Sequence, residues 1–515
     1  MSGSPLIRIR DLSLAIHGTP ILRDLSLDVA EGAVTGLVGE SGSGKSMTAL
    51  ALMGLLPRGS TTAGEIAMDG RNLLAGRERD WLKIRGDDIA MIFQEPMTAL
   101  NPVHTIGAQI AEALRLRGMS RGEAARIARD RLDRVGLERI PLGRYPHELS
   151  GGQRQRVCIA MAIARRPRLL IADEPTTALD VTTQAQILDL LGGLVADEGM
   201  GLLLITHDLG VVARTADHVA VMKRGEIVEQ GATEPLFRAH AHPYTTELLR
   251  ASRPAARTAR EVAAAPVLEA EGVIRAYGGH RAVDDVSLRL NRGESLGLVG
   301  ESGCGKSTLT RALLGLEPVQ GGTIRLHGQP GGTAMSFADR ARISVVFQDP
   351  YGSFDPRWPV RRLVTEPFHL TGRPRDAATR AAEALEQVGL GAADLEKYPH
   401  EFSGGQRQRI AIARALITRP DVLVLDEAVS ALDVRVRAQV LALLDDLQAR
   451  LGLAYLFISH DLTVVRAICD RVLVMQAGRI VEDGPIDRVF HAPRSDYTRS
   501  LIAAAPTIPE GWLAA

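Results

Sequence analysis

Two stretches of the chain carry the residue types and spacing of a polyphosphate cradle. Gly39-Glu-Ser-Gly-Ser-Gly44-Lys45-Ser46 and Gly300-Glu-Ser-Gly-Cys-Gly305-Lys306-Ser307 each read as Gly, four variable residues, then Gly-Lys-Ser. Glycines let a backbone wrap an anion and turn its N–H groups inward. A helix start just beyond adds a favourable field for negative charge. In that setting Lys45 and Lys306 reach the outer phosphates, and Ser46 and Ser307 ligate a magnesium ion. Each motif follows an apolar run, Val34 to Val38 or Ser295 to Val299, and precedes a helix-like one, Met47 to Leu56 or Thr308 to Leu316. A chance glycine-rich turn does not bring that strand–loop–helix setting with it twice. Cys304 takes the place that Ser43 has in the other motif, either as a redox-sensitive position or as a tolerated small residue.

Acids, amides and imidazoles recur around these loops. LLIADE (Leu169 to Glu174) and VLVLDE (Val422 to Glu427) read as buried parallel strands ending in paired carboxylates. Ligands of open parallel sheets sit at the carboxyl ends of strands. Asp173 and Asp426 are therefore placed to hold Mg²⁺ through water, and Glu174 and Glu427 to polarise an attacking water as general bases. Taken alone, a strand-end carboxylate is as readily a solvated acid. Gln94 and Gln348 end the runs MIF and VVF, where an amide can touch Mg²⁺ and water while its loop leads onward into a helical stretch. His207 and His460 end the strands LLLIT and YLFIS, within reach of a terminal phosphate or as structural imidazoles.

A second anion-binding pattern stands apart. Ser150-Gly-Gly152-Gln153 and Ser403-Gly-Gly405-Gln406 each open a helix, with Ser as the cap. Their glycines permit close approach to an anion at a helix start. Each half already has its own cradle, so a second one points to service of a neighbouring nucleotide.

These motifs belong to a duplicated framework. Lys45 and Lys306 are 261 positions apart; Ser150 and Ser403, Asp173 and Asp426, and His207 and His460 are each 253 apart. Order is kept while a few residues are lost between the first motifs, as expected of duplicated domains with drifting loops. The α/β reading is of two domains, residues 1–250 and 267–515, joined by the Ala-, Arg- and Pro-rich stretch 251–266. Helical patterning over Ile106 to Val135 and Arg361 to Val388 marks a helical subdomain in each half. Lys+Arg and Asp+Glu balance at 61 each, against the basic excess of a nucleic-acid-gripping protein. Three scattered cysteines offer no disulfide framework or zinc ribbon. No apolar run approaches the roughly 18 residues of a spanning helix, so no transmembrane segment is expected.

The set resembles the ATP-binding-cassette (ABC) ATPases over nearly the whole chain, twice: phosphate loop, glutamine loop, SGGQ signature, Asp-Glu strand, ALD segments (Ala178 to Asp180; Ala431 to Asp433) and histidine. The resemblance implies two tandem P-loop cassettes, each with a RecA-like α/β core, an antiparallel β subdomain and a helical subdomain, with ATP and Mg²⁺ as cofactors. It assigns the nucleotide to Gly39, Ser41, Gly42, Gly44, Lys45, Ser46 and Met47, and to Gly300, Ser302, Gly303, Gly305, Lys306, Ser307 and Thr308. Signature residues Ser403, Gly405 and Gln406 would share a site with Lys45, and Ser150, Gly152 and Gln153 with Lys306. Tyr277 matches the family's adenine-stacking aromatic, where the first half has Ile16 beside His17. Ala428 replaces Pro175, which implies a slight shift in that loop. No catalytic motif is missing from either half, so two hydrolysing sites are expected, with a one-site degenerate motor as the rival reading.

FQEPMTALNP, FQDPYGSFDPRW, RYPHELSGGQRQR and DEPTTALDVTTQAQIL further resemble the motor subunits of oligopeptide, dipeptide and nickel importers. So do HPYTTELL (His242 to Leu249) and its echo DYTRSLI (Asp496 to Ile502), whose residue types suggest no chemistry of their own. The resemblance implies a peripheral protein on the cytoplasmic face of the inner (plasma) membrane. Its partners would be two permease subunits and a solute-binding protein, and peptide the expected cargo, with nickel and other small solutes open. Rival readings are an exporter motor, or a soluble paired-cassette ATPase acting on ribosomes or DNA. The short linker, the balanced charge and the lack of zinc-binding cysteines speak against the latter.

Overall fold

A computed structural model describes residues 5–94, 99–177, 179–257, 265–349 and 352–512. Two compact units result. One comprises Met1–Leu179, Thr183–Ser252 and Pro506–Ala515; the other comprises Asp180–Thr182 and Arg253–Ala505.

Each unit is built on two sheets. In the first, Val34–Val38 lies between Gly201–Thr206 and His218–Lys223, with Leu169–Asp173 and Ile89–Ile92 continuing outward in parallel. Glu226–Ala232 closes the other edge antiparallel. Every residue of Val34–Val38, Leu169–Asp173 and Gly201–Thr206 is buried, as unbroken apolar runs covered on both faces require. The second unit repeats this order, with Ser295–Val299 between Ala454–Ile458 and Arg471–Gln476 and with Val422–Asp426 and Ile343–Val346 beyond. A separate antiparallel sheet pairs Ile7–Ile16 with Thr19–Val29 and Ser60–Met68 in one unit, and Pro266–Tyr277 with His280–Asn291 and Gly321–Leu326 in the other. Buried and exposed positions largely alternate along Ile7–Ile16, the period of a strand covered on one face.

The helical parts fall where patterning places them. Ile106–Arg115 and Arg121–Arg134 start on Thr105 and Ser120 caps, and their buried residues join the signature helix Gly151–Ala162 in one core. The counterparts are Val360–Thr365, Ala377–Gln387 and Gly404–Leu416. The helices after the phosphate loops are shorter than their apolar runs suggest. They span Lys45–Leu52 and Lys306–Leu313, because Gly54 and Gly315 turn left-handed at φ 62° and 69°.

Beyond each core sheet runs a small helical tail, Thr233–Arg238 then Pro243–Ser252, matched by Ile486–His491 then Asp496–Ala504. The expected linker is partly packed: Arg257 is 7% exposed, and its N–H donates to the Arg466 carbonyl at 3.1 Å. At the far end of the chain, Ile508 joins the core around Phe237 and Tyr244, and the Trp512 ring meets Phe237 edge-on at 6.2 Å. No helix among the described residues is long and apolar enough to cross a membrane.

Candidate functional site

The phosphate loop of each unit is held open by its glycines. A Cβ on Gly39 would lie 2.2 Å from the Met222 carbonyl, and one on Gly44, at φ 104°, 2.7 Å from Leu22. The same crowding meets Gly300 (Met475 carbonyl, 2.2 Å) and Gly305 (Ala282 carbonyl, 2.1 Å). Gly42 and Gly303 have open space but left-handed backbones, at φ 76° and 79°. Gly44 and Gly305 are the residues before the helices that begin at Lys45 and Lys306. Ser41 and Ser302 are exposed on the loops, and Met47 and Thr308 sit in the first helical turns.

The two lysines are buried and bonded. Lys45 Nζ donates to the Gly39 and Glu40 carbonyls at 2.7 and 2.9 Å, and Lys306 Nζ to those of Gly300 and Glu301 at 2.7 and 2.8 Å. An ammonium anchored on the loop's own carbonyls keeps its charge inside the cradle, where phosphate oxygens need it.

Around the first loop the structure assembles the predicted acids, amide and imidazole. Ser46 bears on the Asp173 carboxyl and lowers it, and the Asp173 Oδ1 is buried without a hydrogen-bond partner. Burial pushes the Asp173 carboxyl above its ordinary value, aided by Glu174 and only partly opposed by Ser46 and Lys45. A buried carboxylate with an orphaned oxygen beside a serine hydroxyl fits a hard divalent cation such as Mg²⁺. Asp426 is likewise raised by burial and by Glu427, against Lys306 and Arg311; Ser307 is exposed on its helix start.

Glu174 stands on a left-handed backbone at φ 48°, just past the strand end, and Glu427 matches it at φ 50°. That turn aims the glutamate away from the aspartate before it. His207 Nδ1 approaches Glu174 Oε1 at 3.1 Å, while Gln94 Nε2 and Thr177 Oγ1 donate to Oε2 at 3.0 and 2.9 Å. Burial alone would raise this carboxyl; the bonds from His207 and Thr177 and the charges of His207 and Lys45 outweigh it and hold it at about 2. Glu427 is also lowered against its burial, mainly by His460, whose Nδ1 lies 3.3 Å from Oε1. That partner pulls His460 upward in turn, against its own desolvation.

The signature residues form a different group. Ser150 accepts from Gln153 N–H at 3.3 Å while its own N–H donates to Gln153 Oε1 at 3.0 Å; Ser403 and Gln406 repeat this at 3.4 and 3.0 Å. Gly152 and Gly405 also have a structural role. A Cβ there would lie 2.4 Å from Thr183 or 2.3 Å from Val436, at the start of the following long helix. Tyr277 is 42% exposed at its hairpin end, with Arg275 over its ring at 4.5 Å and its hydroxyl on Glu317. Ile16 occupies the same hairpin position, paired with Thr19 as Tyr277 is with His280.

Two expectations change. The Pro175-to-Ala428 exchange leaves the turn alone: Thr177 N–H bonds the Glu174 carbonyl, and Ser430 N–H that of Glu427, both at 3.2 Å. The glutamate's left-handed φ and its N–H bond to the neighbouring strand set the turn, not the proline. The tails also reach the phosphate loops. Glu40 N–H donates to the Tyr244 hydroxyl at 3.2 Å, and Glu301 N–H to that of Tyr497 at 3.0 Å. Recurrence of Tyr-Thr at a 253-residue spacing was the available signal. The glutamine-loop residues 95–98 and 350–351, and Ala178 of the first ALD segment, lie outside the described residues.

Comparison with known proteins identifies the family. The family model described as "ABC transporter" matches residues 22–177 and 283–430. "Oligopeptide/dipeptide transporter, C-terminal region" matches 228–271 and 481–514. Peptidoglycan transport ATP-binding protein YejF of Agrobacterium fabrum is 49% identical, covering 97% of this chain and 96% of the relative. Glutathione import ATP-binding protein GsiA of Escherichia coli is 48% identical, covering 94% of this chain and 86% of the relative. Among solved structures, the complex of archaeal ribosomal stalk protein aP1 and archaeal ribosome recycling factor aABCE1 matches at a TM-score of 0.62. It covers 90% of this chain and 88% of that one. At 23% identity that likeness shows the fold alone.

Proposed function

The chain belongs to the ABC transporter family, with two of that family's ATP-binding domains in one polypeptide, and on that premise we propose that it powers uptake of peptide-class solutes through partner permeases. It is an ATPase and the motor of an import system. The observation that carries the peptide assignment is the oligopeptide/dipeptide tail after each cassette. The names of the relatives, which speak of peptidoglycan and glutathione, point to the same solute class. A solute-binding protein and two permeases complete the proposed assembly, with this chain peripheral at the cytoplasmic face of the inner membrane.

In the proposed reaction the loop N–H groups and Lys45 or Lys306 take the outer phosphates of ATP. Ser46, Gln94 and Asp173, with Ser307, Gln348 and Asp426, would hold Mg²⁺, which supplies positive charge to the phosphate oxygens. Glu174 and Glu427 remain ionised at neutral pH and orient the attacking water as bases. His207 and His460 hold those carboxylates and face the departing terminal phosphate. The helix starts at Ser150–Gln153 and Ser403–Gln406 close on the nucleotide, and the loops after Gln94 and Gln348 pass its loss to the permeases. A ribosome- or DNA-directed role has no specific observation in its favour.

Deletion of the gene, complemented by the wild type or by Glu174→Gln with Glu427→Gln, tests the proposal through uptake of labelled short peptides. Uptake restored by the wild type alone supports it. Unchanged uptake in the deletion, with the chain co-sedimenting with ribosomes, overturns it.

A further inference from the structure

We infer that the tail tyrosines, Tyr244 and Tyr497, are positioning residues of the two ATP sites. They act on one peptide plane of each phosphate loop; the inference rests on the ATP-site reading above. The Gly39–Glu40 amide carries two of the bonds already described. Its carbonyl, that of Gly39, accepts from Lys45 Nζ at 2.7 Å, and its N–H, that of Glu40, donates to the Tyr244 hydroxyl at 3.2 Å. In the second unit the Gly300 carbonyl accepts from Lys306 Nζ at 2.7 Å, and Glu301 N–H donates to Tyr497 at 3.0 Å. The C=O and N–H of a trans peptide point in opposite directions. Lysine and tyrosine therefore hold the same plane from its two sides, and a rotation of that plane loses both bonds together. The glycine at this position makes the plane easy to turn, which is why a second anchor matters.

The tyrosine is itself placed by the tail. Glu229 accepts the N–H groups of Ala241 and His242 at 2.8 and 3.3 Å, just ahead of the helix Pro243–Ser252. Glu482 does the same for Arg494 and Ser495 at 3.0 and 3.1 Å, ahead of Asp496–Ala504. Tyr244 is 1% exposed, with Lys223 Nζ 4.6 Å from its ring centre. A ring sunk that deep with its hydroxyl on the loop keeps Lys45 aimed into the cradle. The tail therefore sets nucleotide affinity.

The test is steady-state ATP hydrolysis by the full chain carrying Tyr244→Phe with Tyr497→Phe, which keep the rings and delete the hydroxyls. KM for ATP is expected to rise about two- to tenfold, the worth of one hydrogen bond, with kcat and Tm nearly unchanged. Leu248→Ala, which truncates a buried side chain of the same helix without touching the loop, should lower Tm and leave KM alone. An unchanged KM in the phenylalanine variant, or a rise that Leu248→Ala reproduces, overturns the inference. Lys45→Ala with Lys306→Ala separates the two readings. If that variant binds ATP as the wild type does, the ATP-site reading fails; if it does not, an unchanged KM in the phenylalanine variant counts against the tyrosines alone.

Discussion

The two cassettes share one scaffold and restrain their key glutamates differently. In the first, Glu174 is gripped by His207, Gln94 and Thr177, and its side chain is 13% exposed. In the second, Glu427 meets His460, its side chain is 22% exposed, and Ser430 turns its hydroxyl to the Glu427 backbone carbonyl at 2.9 Å. Gln348 makes no bond to Glu427 among the described residues. A methyl group explains part of this: threonine has a stiffer χ1 than serine, which is free to swing to the backbone. Ser46 bears on Asp173 in the first site, whereas Arg311 bears on Asp426 in the second, where the first cassette has Leu50. Identical motifs thus support two carboxylates of unequal order, and the inequality comes from residues beside the motifs.

The comparison can be broken most directly at the glutamates. Glu174→Gln with Glu427→Gln together should reduce ATP turnover about 100-fold or more, the usual share of a general base. Each single change should retain roughly half the activity, as additivity of independent sites requires. A single variant as dead as the double one would show the two sites to be obligately coupled. Next come the loop glycines. Gly39→Ala and Gly300→Ala drive a methyl onto a carbonyl 2.2 Å away. Backbone displacement on the order of 1–3 kcal/mol should weaken binding of a fluorescent ATP analogue by about tenfold or more. Equal losses at both sites would show that the cradles are equivalent and that the asymmetry lies with the glutamates.

Smaller effects sharpen the contrast. Thr177→Val deletes one donor to Glu174 and should lower kcat about two- to tenfold, while Ser430→Ala should cost less than twofold. Equal effects in single-turnover measurements would refute the difference in restraint. The tails offer the mildest probe. Burial pushes Glu229 and Glu482 up, but the Thr245 side chain with the N–H groups of Ala241 and His242, and the N–H groups of Arg494 and Ser495, outweigh it and hold both below their ordinary value of 4.5. The unfolded chain therefore binds more protons. The stability these carboxylates contribute is complete above pH of about 4.5 and is lost as pH falls through the lowered values. Thermal melts from pH 6 to 3 should show Glu482→Gln flattening the acid-side fall in Tm more than Glu229→Gln, since Glu482 is only 6% exposed.

Much of the site is legible because its chemistry is local. Gly39 to Ser46 is a contiguous run whose glycines, lysine and serine state their purpose through spacing, and Asp173-Glu174 ends an apolar strand whose direction places it. Thr177 was not legible, since one threonine among several near Glu174 says nothing about where its hydroxyl points. The Tyr-Thr repeat marked Tyr244, but its partner was not legible. The tyrosine lies 204 residues from Glu40, and nothing in a tyrosine's type tells which backbone N–H it will meet. The shortened helices at Leu52 and Leu313 ended at glycines the sequence displays, but apolar periodicity alone ran past them.

From its order of residues alone this protein is a duplicated P-loop ATPase: repetition, strand-length apolar runs and phosphate-loop spacing follow from short-range steric and hydrogen-bonding rules. Only the tertiary structure decided which carboxylate oxygen is left orphaned and how tightly each glutamate is held. It also decided that a tail tyrosine reaches back to the loop. Such facts depend on distances between residues far apart in the chain, and hydrogen bonds act only when folding brings donor and acceptor within about 3 Å.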